Sequence, residues 1–115
     1  MKIKIRKSEH LPDWFLIVRA EHENTEWFEV VGDVNCFMKS ERLSPEACIE
    51  GDSSEMLDIA NAIKARTNES HKRVAVSFEN DGVHIYSPKN SLHHGIVTIE
   101  EADDLADQIF QEVQS

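Results

Sequence analysis

The chain has 115 residues, 40% of them hydrophobic, enough to bury one core but not two independent ones. Its 22 acidic against 12 basic residues leave a formal net charge of −10, a balance that repels phosphate backbones and anionic membranes. Aliphatic residues are plentiful and Pro and Gly scarce, which excludes disorder as the main state, and no run approaches the ~20 apolar residues of a membrane helix.

Lys2, Ile3, Lys4, Ile5 and Arg6 alternate strictly, placing the isoleucines on one face of a strand and the bases on the other. Outward charges of this kind guard a sheet edge, so an edge strand is expected. The apolar run at residues 14–18 that follows this basic start is too short for a secretory core and has no small-residue cleavage site. A soluble, cytoplasmic protein is therefore expected. Residues 14–20 and 26–31 are aromatic and β-branched runs joined by the polar segment 21–25, a hairpin by composition. Gly32 and Asp33 offer a second tight turn into a strand at 34–38, so these three strands are expected in meander order. Residues 40–51 are the least legible: Ser44, Pro45 and Glu46 open like a helix, yet Gly51 stops anything begun there within two turns.

Asp52 with Glu55 is a capping box, followed by Met56, Ile59, Ala60 and Ile63 at helical spacing, which predicts a helix over 53–66. Residues 67–70 form a polar link. Val74, Val76 and Phe78 alternate against Ala75 and Ser77, and Asn80, Asp81 and Gly82 turn the chain into a strand at 83–86, the clearest hairpin in the sequence. A loop over 88–94, a short strand over 95–98 and a closing helix over 99–113 complete the reading. Thr98 with Glu101 repeats the box, and Ala102, Leu105, Ala106 and Ile109 repeat the spacing, each 46 residues on (52 to 98, 63 to 109). The expected fold is thus a single α+β domain over 1–115, a mostly antiparallel sheet with two helices packed on one face. Two similar hairpin, strand and helix units, about 14–66 and 73–113, would share one core.

No catalytic constellation is present. Ser, Cys and His occur, but no strained nucleophile turn or Gly-rich phosphate loop frames them, so the protein is read as not an enzyme and as needing no cofactor. The six histidines, His10, His22, His71, His84, His93 and His94, lack ligand spacing for a transition metal, and no metal site is expected. Cys36 and Cys48, in apolar company and not in a C-x-x-C pair, read as buried free thiols, with a bridge between them as the alternative in an oxidising compartment. The basic first strand with Trp14 and Phe15, later joined by Trp27 and Phe28, has the composition of a stacking stripe for nucleic acid. Those aromatics lie inside alternating strands and the net charge opposes such binding, so no direct nucleic-acid contact is expected.

The closing helix is the strongest surface feature. Glu100, Glu101, Asp103, Asp104, Asp107 and Glu112 supply six negative charges between 98 and 115, with no Lys or Arg among them. Capping and the helix dipole account for Glu100, Glu101 and Asp103. They do not account for Asp104 and Asp107, which form like-charge i,i+4 pairs with Glu100 and Asp103. Carboxylates so spaced lie about 6 Å apart, near the spacing of phosphates along a strand, and suit a phosphate-binding groove on a basic protein. Two functions follow. The first is a non-enzymatic acidic interaction module that binds through Glu100, Glu101, Asp103, Asp104 and Asp107. It would inhibit or regulate a basic, nucleic-acid-binding protein, as phage or mobile-element anti-defence proteins do. The second is a small-molecule or regulatory binding module with a cleft between the two units, lined by His84, Tyr86 and His93, alone or in a homodimer. Neither involves a membrane.

Overall fold

The computed structural model describes residues 2–8, 11–20, 27–29, 36–38 and 47–114; for residues 2, 18–20, 27–29, 36–38, 47–48 and 90–93 only the backbone is described. Strands β1 (Lys2–Lys7) and β2 (Trp14–Ala20) pair antiparallel, and β2 pairs on its other side with β5 (Ala47–Asp52), giving the order β1-β2-β5. A two-stranded ribbon joins β3 (Trp27–Glu29) to β4 (Cys36–Met38). Helix α1 (Ser53–Ala65) follows β5. A second antiparallel sheet has the order β6 (Glu69–Ser70), β7 (Ala75–Glu79), β8 (Gly82–Ser87) and β9 (Asn90–Val97), and α2 (Ile99–Gln114) closes the described chain.

Alternation along the strands decides what is buried. Ile3 and Ile5 on β1, Phe15 and Ile17 on β2 and Ile49 on β5 face inward from the first sheet; Val76, Val83, Ile85 and Val97 do so from the second. Both helices lie against this interior and against each other, α1 contributing Met56, Ile59, Ala60 and Ile63 and α2 contributing Ala102, Leu105, Ala106 and Ile109. The result is an α+β arrangement in which side chains from β1 through α2 form one apolar cluster.

The local chemistry of the helix ends is as expected. The Asp52 side chain accepts from the Glu55 N–H at 2.9 Å while the Glu55 carboxylate accepts from the Asp52 N–H at 3.2 Å. Thr98 and Glu101 exchange the same two bonds, each at 3.1 Å. The bond from the Glu55 N–H is the main reason the Asp52 carboxyl sits below its usual range. At the other end of α1, Arg66 takes a left-handed conformation (φ 57°, ψ 44°), and the Thr67 N–H reaches Ala62 O at 3.0 Å. This closes the helix as a Schellman cap without the glycine that usually marks one. Gly82 is a real requirement: at φ +140° a side chain is strained, and a Cβ there would lie 2.8 Å from the Val97 carbonyl oxygen.

Several expectations need correction. Residues 47–52, within the stretch the sequence left open, are strand β5. Ile49 and Gly51 face inward while Glu50 faces out, a two-residue period that the helix-like opening at Ser44 obscured. Among the described residues the meander over 14–38 does not form: β2 pairs with β1 and β5, and β3 pairs with β4. The segments 21–26 and 30–35, where two turns were expected, lie outside the described residues. β9 begins at Asn90, so most of the expected loop over 88–94 is strand, with a shift in the ladder between Tyr86 and Ser87. β1 is an edge strand, as its alternation implies. A three-stranded antiparallel sheet, β1-β2-β5, precedes α1 and a four-stranded one, β6-β7-β8-β9, precedes α2. The shared cap and the matched buried positions of the two helices do not establish a duplicated unit.

Candidate functional site

Two surfaces hold polar side chains in defined arrangements. The first is the outer face of the second sheet. Val83 and Ile85 point into the core, so His84 and Tyr86 between and beyond them point out. The ladder sets His84 opposite Ser77 and Ile96, and Tyr86 opposite Ala75 and His94. His84 Nδ1 lies 2.7 Å from His94 Nε2, and His84 Nε2 lies 2.6 Å from Asp81 Oδ1. The two imidazoles meet edge to face with centroids 4.9 Å apart, and the Tyr86 ring stacks on His94 at 5.4 Å and 16°. The side chain of His84 is only 16% exposed, whereas Asp81 is 63% exposed and holds it from the turn between β7 and β8. The hydrogen bond from His84 is the main reason the Asp81 carboxyl lies below its usual range, with the nearby charge of His84 and His94 adding to it.

The expected trio was His84, Tyr86 and His93. The structure joins His84 and Tyr86 to His94 and Asp81, all within one sheet; the His93 side chain lies outside the described residues, as do His10 and His22. Which of two adjacent histidines shares a face with Tyr86 depends on the β8–β9 register, and the shift at Tyr86 and Ser87 hides that register from the sequence. Among the described residues no group of three or more His, Cys, Asp or Glu side chains could hold a metal ion. The thiols of Cys36 and Cys48 lie outside the described residues. His71 is placed elsewhere, its Nε2 buried without a hydrogen bond among the described residues but 3.2 Å from Asp58 Oδ2 and 3.7 Å from Glu69 Oε1.

The second surface is formed by α1 and α2. Arg66 donates to both oxygens of Asp103, at 2.6 and 2.9 Å, and this bond holds the Asp103 carboxyl below its usual range and raises the guanidinium. Lys64 Nζ lies 3.0 Å from Asp107 Oδ1 and 3.9 Å from Asp103 Oδ1, so one ammonium offsets the i,i+4 repulsion between them. Asp107 is therefore not uncompensated; its base comes from the neighbouring helix, where a reading of α2 alone could not find it. Asp104 accepts from the Gln108 amide at 2.8 Å. Glu101 is spent on the cap. Glu100 is exposed, and its charge also acts on Arg66.

At about 100° per residue, Glu100, Asp104 and Asp107 fall within roughly 60° of one another on α2, directly opposite the buried Leu105 and Ile109. They form the helix's outermost line. Trp14, by contrast, is not available as a stacking surface: Arg73 covers its ring at 5.1 Å and its indole N–H donates to Glu50 at 3.1 Å, while Phe15 is in the core. The side chains of Trp27 and Phe28 lie outside the described residues. Comparison with protein families, curated proteins and solved structures finds no match.

Proposed function

We propose that the protein is a non-enzymatic acidic interaction module that docks α2 on a basic surface of a nucleic-acid-binding protein and so inhibits or regulates it, in the manner of phage or mobile-element anti-defence proteins. The observation that carries this reading is the outward line of Glu100, Asp104 and Asp107. Asp103 and Glu101, also expected to take part, are committed to Arg66 and to the cap. They shape the face rather than supply its free charge. Asp107 keeps 67% of its side chain exposed even with Lys64 beside it, so a partner's base can replace or join that ammonium. The net charge of −10 adds long-range attraction, which raises the encounter rate with a basic partner.

The test is a capture experiment from the native host with the parent and with a Glu100→Gln, Asp104→Asn, Asp107→Asn variant, followed by competition with duplex DNA. The reading predicts that the parent retains a basic protein, that the variant loses it and that DNA displaces it. The same protein held by both forms and indifferent to DNA overturns it.

The second reading, a small-molecule or regulatory binding module, is favoured by one observation: His84, Tyr86 and His94 converge beside Ile96, which is 38% exposed. Its site would be the outer face of the second sheet rather than a cleft between two units. A planar ligand that shifts the Tyr86 and His94 ring resonances, and leaves those of α2 in place, would favour it.

A further inference from the structure

The short contact between two imidazoles on β8 and β9 has a strict proton requirement. At 2.7 Å, His84 Nδ1 and His94 Nε2 can bond only if one carries hydrogen and the other a lone pair. Asp81, an ionised acceptor at 2.6 Å, takes the hydrogen on His84 Nε2. Two levels of protonation satisfy this chain. With both rings neutral, His84 Nδ1 accepts from His94 Nε2–H. With one added proton the contact still closes, either with His84 as an imidazolium donating to Asp81 and to His94 Nε2, the form that Asp81 favours, or with His94 as the imidazolium donating to His84 Nδ1. A second added proton leaves hydrogen on all four ring nitrogens, and the contact becomes a repulsion between two cations.

From this geometry we propose that Asp81, His84 and His94 form a proton-operated clasp on β9, closed while the two rings share a proton and open when both are protonated. The place of the clasp in the ladder gives it leverage. Tyr86 pairs with His94, but the next partners are Ser87 and Asn90, so the regular register stops at His94. The side-chain bond thus fastens the first regular pair beyond an irregularity, where backbone pairing alone is weakest.

The surrounding charges decide which ring leaves. Asp81 in the turn holds His84. On β7, Ser77 lies opposite His84 and its hydroxyl donates to Glu79 at 2.7 Å, so that carboxylate is already engaged. On β8, Tyr86 stacks on His94 and offers its ring face. Lys89, in the turn beyond Tyr86, brings a positive charge to the same end of β9. His84 therefore keeps its cation and its carboxylate, and the protonated His94 is the ring displaced. Its departure also opens the stack on Tyr86 and uncovers the outer face next to Ile96. The clasp is independent of the acidic line on α2, which belongs to another surface.

Nitrogen-15 spectra of the histidine rings and amide exchange of the intact chain, followed as pH is lowered, test this. At neutral pH the spectra should show His84 and His94 as a donor and acceptor pair. On acidification, exchange at residues 94–97, corrected for intrinsic rates, should accelerate about tenfold relative to α2, the loss expected for one hydrogen bond to a charged ring. His94→Gln should abolish that pH dependence, because its amide does not titrate. Asp81→Asn should move the opening to lower pH, because without the carboxylate beside His84 the doubly protonated pair is harder to reach. Rings that titrate independently, or β9 amides whose protection follows that of α2 at every pH in the parent, would overturn the proposal.

Discussion

Arg66 at the left-handed cap of α1 and Asp103 on α2 meet side-on, Nη1 to Oδ1 at 2.6 Å and Nη2 to Oδ2 at 2.9 Å. The cap places the guanidinium across the helix interface, and the same nitrogen also donates to Ile63 O at 2.8 Å. One side chain thus closes α1 and fastens α2. Because the Asp103 carboxyl is held below its usual range in the folded state, its contribution is present above the ordinary carboxylate pKa near ~4 and is lost as pH falls through the lower folded value. Asp103→Asn should therefore flatten the stability curve between about pH 5 and pH 2. Urea midpoints measured across that window check it; an unchanged slope contradicts it.

The core claim is that one apolar cluster joins both sheets and both helices. Leu105 is fully buried within that cluster. Leu105→Ala should cost about 2–5 kcal/mol in chemical denaturation, with a single cooperative transition. A loss below ~1 kcal/mol would mean that α2 packs more loosely than its burial implies.

Gln108 covers the open edge of β1. Its amide nitrogen donates to Ile3 O at 3.2 Å and its oxygen accepts from the Ile5 N–H at 3.3 Å, as a neighbouring strand would. Gln108→Ala should lose about 1 kcal/mol for each bond and leave the edge able to pair with another chain. Faster exchange at the Ile5 amide and association at raised concentration are the expected readouts. Unchanged exchange at Ile5 would show that the amide gives the edge no protection.

What was legible in the sequence follows its periodicity. Both helix starts can be read because a capping box is local chemistry, and the 74–86 hairpin because a turn at Asn80 to Gly82 interrupts clean alternation. β5 could not be read, since Pro45 and Gly51 argue against a strand until β2 is there to pair with it. Of the site, His84 and Tyr86 share a face by simple alternation, but choosing His94 over His93 needs a register that the shift at Ser87 conceals. Lys64 and Arg66 as partners of Asp107 and Asp103 depend on helix packing, which no spacing within α2 encodes.

Untagged protein is expected to purify without a stoichiometric transition metal, because both ring nitrogens of His84 are engaged by Asp81 and His94 and no third ligand converges among the described residues. Elemental analysis checks this. One zinc per chain that disappears in His84→Gln would contradict it and bring enzymatic chemistry back into consideration.

The most direct test of the docking claim is partner affinity measured against salt, for the captured protein, with the parent and with the Glu100→Gln, Asp104→Asn, Asp107→Asn variant. Neutralising these side chains relieves like-charge repulsion along α2, so the variant should fold as well as the parent or slightly better. Parent affinity should fall steeply with added salt, and the variant should bind more weakly at low salt with a shallower dependence. A folded variant that binds as tightly as the parent at both low and high salt would contradict the account and reduce the outer line of α2 to a solvated face.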